Sequence, residues 1–305
     1  MRVSVIICTW NRCELLRRTL ESFRSLIVPP ALEWQLLVVN NHSTDATEEV
    51  IAAYRDHLPL QGLFEPEEGV SRARNTGVRA AAGDLVVFTD DDVRVDPGWL
   101  SAFVAAARQW PDAGYFAGRI RPEFDADVPK WVRRNQRALA GMVCLRDGGP
   151  ISLQLRPGEL AYGPNMAFRR AVLQRAVFDE HVGRRRDEHL RGSEASLLRS
   201  LRRQGVTGVW VPDAAIQHYV PGCRANYRYL WNYYHGAGRT EVRLTLVCGL
   251  QSRWQLAQAT LMTLAGTCRR PLTWSRHLAT VAWMSGQVSE LWRLAVSPHT
   301  EGVQE

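Results

Sequence analysis

The strongest constraint is a repeating order of short apolar runs and amphipathic stretches over the first 110 residues. Val3 to Thr9 has the character of a buried strand, and Trp10-Asn11-Arg12 forms a turn after it. From Cys13 to Leu26, Leu15, Leu16, Leu20 and Phe23 recur at helical spacing, until Pro29-Pro30 stops the pattern. Leu36 to Val39 is a second strand, Ala46 to His57 a helix, and Leu63 to Glu65 a short strand. A loop at Gly69 leads into a helix through Ala82, closed by Gly83. Strands alternating with helices of about 10 to 15 residues predict βαβ units and a largely parallel sheet.

The next strand ends unusually. Leu85-Val86-Val87-Phe88-Thr89 runs straight into Asp90-Asp91-Asp92. In open α/β sheets, ligands sit outside the carboxyl ends of strands. Three adjacent carboxylates repel one another unless a cation neutralises them. Hard oxygen ligands select Mg2+ or Mn2+, ions that share their coordination with substrate phosphates. A solvated acidic turn is the plain alternative. Asp96-Pro97 then predicts a helix with Asp96 as N-cap and Pro97 at its first position; Trp99, Phe103 and Ala106 form its apolar face.

The second portion is more mixed. Tyr115 to Ile120 reads as a strand, and residues 122–158, Trp131 among them, as a loop-rich acceptor region. Leu160 to Phe168 is expected as strand, Arg169 to Ala176 as helix, and Glu194 to Gln204 as a helix ended by Gly205. Val206 to Val211 and Ala214 to His218 are expected as two strands around Pro212. After Asn226 the chain turns helical, aromatic and Arg-rich. Trp274, Leu278, Val281, Val288, Leu291 and Trp292 are spaced to form an apolar stripe, which packs on the main domain or lies on a membrane surface. Residues from about Ser297 are expected to fray. The expected division is 1–225, with halves at 1–110 and 111–225, then a helical extension over 226–305.

Lys and Arg number 38 against 31 Asp and Glu, a net charge of +7. That suits anionic partners such as nucleotide diphosphates, lipid phosphates or nucleic acid. Six cysteines show no metal-ligand spacing and are expected to be reduced and mostly buried, in a protein facing the cytosol. No cleavable apolar leader opens the chain, and no apolar stretch reaches the roughly 18 residues a membrane span needs. The expected location is cytoplasmic, with peripheral contact at the inner membrane face as the second expectation.

Seven segments, in order, resemble the motifs of family 2 glycosyltransferases. Val3 to Arg12 is similar to VSVIIPTYNR, and Leu37 to Asp45 to VVDNGSTD. Arg72-Ala73-Arg74-Asn75-Thr76-Gly77 matches ARN-x-G, and Asp90-Asp91-Asp92 stands at the DxD motif. Gly163 to Arg169 resembles GxNMAFR, Ser193 to Leu197 stands at EDxxL, and Val211 to His218 matches VPxAxxxH. The resemblance covers roughly residues 2–240.

It implies an α/β GT-A fold: a Rossmann-like three-layer sandwich with a mixed central sheet. It also implies an inverting transferase that moves a sugar from a UDP-, GDP- or TDP-sugar to an acceptor hydroxyl, in polysaccharide, glycolipid or secondary-metabolite synthesis. Asp90, Asp92 and His218 would hold Mg2+ or Mn2+, and Glu194 would be the base. Thr9, Asn11, Arg12, Asn40, Asn41, Arg74, Asp90 and Asp91 would bind the donor, and Asn165 and Trp131 the acceptor. Two departures stand out: Asn40 replaces an Asp that reads uracil, which weakens a UDP donor, and Ser193-Glu194 replaces Glu-Asp. Arg184-Arg185-Arg186 is a basic loop or a phosphate contact, and Asp187, Glu188 and His189 are reserve candidates for the base.

Two other classes remain. A nucleotidyltransferase would need a Gly-rich basic loop after the first strand, and Trp10-Asn11-Arg12-Cys13 is not one. A basic nucleic-acid-binding module explains the charge but not a carboxylate triplet at a strand tip. Nucleic acid is not expected as a partner.

Overall fold

A computed structural model describes residues 1–156, 159–180, 192–247 and 274–296. The strands are β1 (Arg2–Thr9), β2 (Glu33–Asn40), β3 (Leu60–Phe64), β4 (Leu85–Asp90), β5 (Val93–Val95), β6 (Tyr115–Phe124), β7 (Leu153–Gln154), β8 (Asn165–Arg169) and β9 (Gly208–Val220). The helices are α1 (Cys13–Phe23), α2 (Thr47–Ala53), α3 (Val70–Ala80), α4 (Trp99–Gln109), α5 (Lys130–Arg134), α6 (Arg170–Leu173), α7 (Ser193–Arg203), α8 (Tyr227–Val247) and α9 (Trp274–Val296). One mixed sheet runs β3-β2-β1-β4-β8-β6-β9-β5, with β7 on β9. The first four strands in that order are parallel, as expected, and β8 joins β4 antiparallel.

Side chains alternate across each strand, so the sheet has two cores. Val3, Val5, Ile7, Leu36 and Val38 pack with Leu16 and Leu20 of α1, Val50 and Ile51 of α2, and Trp99 and Phe103 of α4. Ile6, Leu37, Val39, Val86 and Phe88 pack with Ala73 of α3 and Leu197, Leu198 and Leu201 of α7. This is a helix–sheet–helix sandwich. The parallel register brings Thr9 level with Asn40 and Cys8 level with Asp90, so three strand tips end together.

Several expectations change. Helix α4 starts at Trp99, with Gly98 as its N-cap and no side-chain cap. Asp96 instead closes a turn by accepting from the Trp99 N–H through its carbonyl, and its carboxylate meets Arg121 at 3.5 Å. Strand β8 begins at Asn165, five residues later than expected at Leu160, and helix α6 is only four residues long. The region 122–158 contains the end of β6, α5 and β7 rather than loop alone. The two strands expected around Pro212 are one 13-residue strand. Proline fits there because the β6–β9 register jumps: Gly118 faces Val211, and Arg119 faces Ala215. Residues 212–214 therefore form a bulge in which no ladder hydrogen bond needs the missing N–H.

The C-terminal stripe is split: Leu278 packs against the cluster of Val132, Leu139 and Leu230, and much of the rest faces outward. Val281, Val288 and Trp292 are exposed. Buried on α9 are Ala279, Ala282, Met284, Gln287 and Glu290. Helices α8 and α9 approach closely at Gly238 and Gly286, where a Cβ would lie 1.9 Å from the Trp283 and His235 carbonyl oxygens. The Trp274 side chain, the tail from Ser297, Cys248 and Cys268 lie outside the described residues. Cys8, Cys13 and Cys144 are half-buried, and Cys223 is exposed, so the described cysteines are less buried than expected. No helix among the described residues is long and apolar enough to cross a membrane.

Candidate active site

The site lies at the aligned tips of β1 and β4, where α1, β9 and the turn before α8 converge. Asp91 is buried and turned inward. It accepts from Thr9 Oγ1 at 2.8 Å and from Arg12 Nη1 at 2.9 Å. Burial pushes its carboxyl up to about 6, against the pull of Arg12. The Thr19 hydroxyl of α1 lies 2.8 and 2.9 Å from the carbonyls of Asp91 and Val93, shares its one hydrogen between them and accepts from the Val93 N–H at 3.1 Å, which fixes the backbone of the triplet.

Asp92 divides its two oxygens. Oδ2 meets Arg12 at 3.2 Å and Arg224 at 3.5 Å. Oδ1 lies 3.2 Å from His218 Nε2, without the alignment of a hydrogen bond, and is buried with no hydrogen-bond partner. Burial alone would raise the Asp92 carboxyl, but His218, Arg12 and Arg224 outweigh it and hold it well below the usual carboxylate range. Burial works against a charged His218, and Asp92 outweighs that and raises it. Asp90 is raised by burial and by the Asp92 charge. Strand β5 carries His218 into place: Val93 faces His218 across an antiparallel pair, and the Tyr219 N–H donates to the Asp92 carbonyl at 2.9 Å.

Asp90, Asp92 and His218 each offer a ligand atom, and these atoms lie within 4.8 Å of one another. Two carboxylates and an imidazole, with one carboxylate oxygen buried and unsatisfied, fit a divalent cation of the Mg2+ or Mn2+ type.

On the other face, Arg74 of α3 ties the triplet to Glu194. Its guanidinium donates to Ser193 Oγ at 2.7 Å, pairs with Glu194 at 3.4 Å and lies 3.9 Å from Asp90. It also covers the Phe178 ring at 5.4 Å. Gly163 leaves room for it: a Cβ there would come within 2.5 Å of Arg74 Nη2. Glu194 stands in the first turn of α7, whose N-cap, Gly192, has φ 103°. Leu197, Leu198 and Leu201 anchor that helix in the core.

The structure thus gathers Thr9, Arg12, Arg74, Asp90, Asp91, Asp92, His218 and Glu194. Other expected residues are occupied by the fold. Asn165 is fully buried; its amide donates to the Arg119 and Ala214 carbonyls and accepts from Trp99 Nε1, all at 2.8 Å. Those partners use its hydrogen-bonding capacity, so it holds the β6–β9 bulge instead of facing an acceptor. Asn40 points with Leu36 and Val38 toward α2. It donates to Glu48 at 2.6 Å and accepts from the Ser43 N–H at 2.8 Å, and it is 1% exposed. Asn41 bonds the 65–69 loop, and Asn11, at φ 51°, accepts from the Thr44 N–H. Trp131 stacks on Tyr227 at 4.5 Å. Arg184 to Arg186 and the reserve bases Asp187, Glu188 and His189 lie outside the described residues. Thr19, Ser193 and Arg224 are additions. The Ser193 position was visible as a motif departure, while Thr19 and Arg224 lie outside every motif.

The comparisons with known proteins agree with this geometry. The glycosyl transferase family 2 model matches residues 4–176. The chain is 25% identical over 265 residues to the succinoglycan biosynthesis protein ExoM of Rhizobium meliloti, covering 85% of this chain and 81% of that one. It is 35% identical over 106 residues to a validoxylamine A glucosyltransferase of Streptomyces hygroscopicus, but spans only 23% of that protein's length. Among solved structures it resembles the mannosyltransferase PcManGT of Pyrobaculum calidifontis, in complex with GDP-Man and Mn2+. That match has TM-score 0.63 and 20% identity, over 95% of this chain and 87% of that one. The fold is GT-A, and the chain belongs to glycosyltransferase family 2. It is a glycosyltransferase.

Proposed function

We propose that this enzyme transfers a sugar from a nucleotide-diphosphate sugar to an acceptor hydroxyl by a single displacement that inverts the anomeric carbon. The observation that carries the reading is the pairing of an unsatisfied Asp92 Oδ1 beside His218 with a carboxylate, Glu194, tied to the same triplet through Arg74. Asp90, Asp92 and His218 would hold Mg2+ or Mn2+, which neutralises charge on the leaving diphosphate. Arg12 and Thr9 hold Asp91 and orient the triplet. Glu194 takes the proton of the attacking hydroxyl, and Arg74 and Ser193 fix its direction.

Relatives named for GDP-Man, UDP and UDP-GlcNAc complexes support a nucleotide-sugar donor without choosing its base. The hydrogen bond from Asn40 to Glu48 supports a donor preference that is not strictly uridine. Residues 1–110 serve as the donor half, 111–225 as the acceptor half and 226–305 as a helical extension. ExoM and the validoxylamine enzyme support acceptors in polysaccharide or secondary-metabolite synthesis. A cytoplasmic location belongs to the same reading.

The test is turnover with Mn2+ and a panel of nucleotide sugars, reading the released nucleotide and the anomeric configuration of the product. Free nucleoside diphosphate with an inverted product is expected. Pyrophosphate would point to nucleotidyl transfer, and a retained anomer would remove the single displacement.

A further inference from the structure

Arg224 enters the site from a part of the chain that no motif announces. It ends a 3-10 turn, Gly222–Arg224, between β9 and α8. The turn is pinned: the Arg224 N–H donates to the Pro221 carbonyl at 3.0 Å, and a Cβ on Gly222 would fall 2.0 Å from the Asp127 carboxylate. The Arg224 guanidinium is mostly buried and reaches Asp92 Oδ2 at 3.5 Å. Of the three positive groups around Asp92, it is the most loosely held, against 3.2 Å for both Arg12 and His218. Arg12 has a second anchor in Asp91 at 2.9 Å. A divalent cation held by Asp90, Asp92 and His218 would repel the two arginines on Asp92 Oδ2, and Arg224, the less anchored of them, leaves first.

We propose that Arg224 exchanges partners. It holds Asp92 while the cation is absent, and it binds the terminal phosphate of the nucleoside diphosphate once cation and donor are in place. This rests on the donor reading above. A guanidinium released beside the cation has the fork geometry for two phosphate oxygens. It reaches the donor from the β9 side, opposite Arg74. The device keeps the carboxylates neutralised in the empty enzyme. It then supplies a cation to the leaving group only when the site is loaded.

Calorimetric titration of the full chain decides the matter, first with Mn2+ alone, then with UDP, GDP, TDP, UMP, GMP and TMP in the presence of Mn2+. Wild type should prefer the diphosphate of whichever base it takes. Arg224→Ala should lose about tenfold or more of that preference, the scale of a charge-assisted hydrogen bond. It should leave monophosphate binding unchanged and bind Mn2+ alone at least as tightly as wild type. Arg224→Lys should recover part of the preference, and cation-free melting curves check the fold. If the Ala variant does not melt cooperatively, Arg224→Gln gives the same contrast at closer to native length. An intact diphosphate preference, or an equal loss for both nucleotides, overturns the exchange. Weaker Mn2+ binding by the variant also overturns it, because Arg224 would then be holding Asp92 for the cation. Wild type that binds none of the nucleotides removes the donor reading itself.

Discussion

The β1–β4 half and the α8–α9 pair bury their contacts by opposite means. Between the sheet and its helices, the contact is aliphatic and aromatic: Val, Ile and Leu from the strands against Leu16, Leu20, Phe23 and Ala73. Its charges collect at the strand tips. On α8 and α9 the backbones meet at glycines, an ion cluster is enclosed, and the buried apolar side chains are few, Val242, Ala282 and Met284 among them. Glu290 is fully buried and accepts from Arg239 and Arg243 at 2.8 Å and from Arg293 at 2.9 Å. Apolar periodicity therefore locates the core in the first region and misleads in the second. There, Val281, Val288 and Trp292 face solvent. A close helix crossing selects for small residues at the contact, and Val281, Val288 and Trp292 are left on the outer face.

Substitutions can break this contrast, and the largest effects belong to the strand tips. Asp92→Ala should abolish transfer and Mn2+-dependent nucleotide binding while circular dichroism shows the fold intact; full activity, or activity in excess chelator, would remove the metal role. Glu194→Gln should lower kcat by on the order of 10²- to 10⁴-fold with donor affinity nearly unchanged, and Glu194→Asp should keep part of the rate. Turnover at the wild-type rate would send the search for the base to other carboxylates.

In the helix pair the effect should be on stability. Burial would raise the Glu290 carboxyl, but its three arginines outweigh burial and bring it from 4.5 to about 2. A depressed folded-state value means that the cluster stabilises fully above about 4.5 and loses its contribution as pH falls toward 2. Glu290→Gln should cost about 3 kcal/mol at pH 7, and the gap from wild type should close across that window in denaturant titrations. A gap independent of pH would make the cluster a packing feature.

Asn40→Asp should cost on the order of 1–3 kcal/mol, since it replaces a donor to Glu48 with a second carboxylate. Glu48→Gln in the same chain should restore most of it. A change in nucleobase preference without a change in stability would return Asn40 to the donor site. The smallest effect concerns the outer face of α9. Weak flotation with anionic liposomes should fall in a Val281→Ser, Trp292→Ser double variant, with stability shifted by about 0.5 kcal/mol or less per site. Equal flotation of both proteins would leave that face without a membrane role.

The sheet half was readable because each strand and helix there follows one period, and because the triplet follows a strand directly. Strand β5 was not, since three residues carry too little pattern. The role of Asn165 was hidden for another reason. Its motif is plain, but its partners at 99, 119 and 214 are set by a bulge that no local pattern records. Arg224 and Thr19 are likewise defined only by what the fold brings to them.

The jump in register between β6 and β9 has one further consequence. Upstream of it, β9 is locked by β7 and the first part of β6; downstream, it is locked by β5 and the rest of β6. Residues 212–214 leave the ladder between the two stretches, and the Asn165 amide fastens the Ala214 carbonyl at 2.8 Å. Side-chain parity in one stretch therefore does not dictate parity in the other, and His218 keeps its face toward Asp92 independently of how Val209 to Val211 are seated. The bulge acts as a clutch between the register of the hydrophobic end of β9 and that of its histidine end.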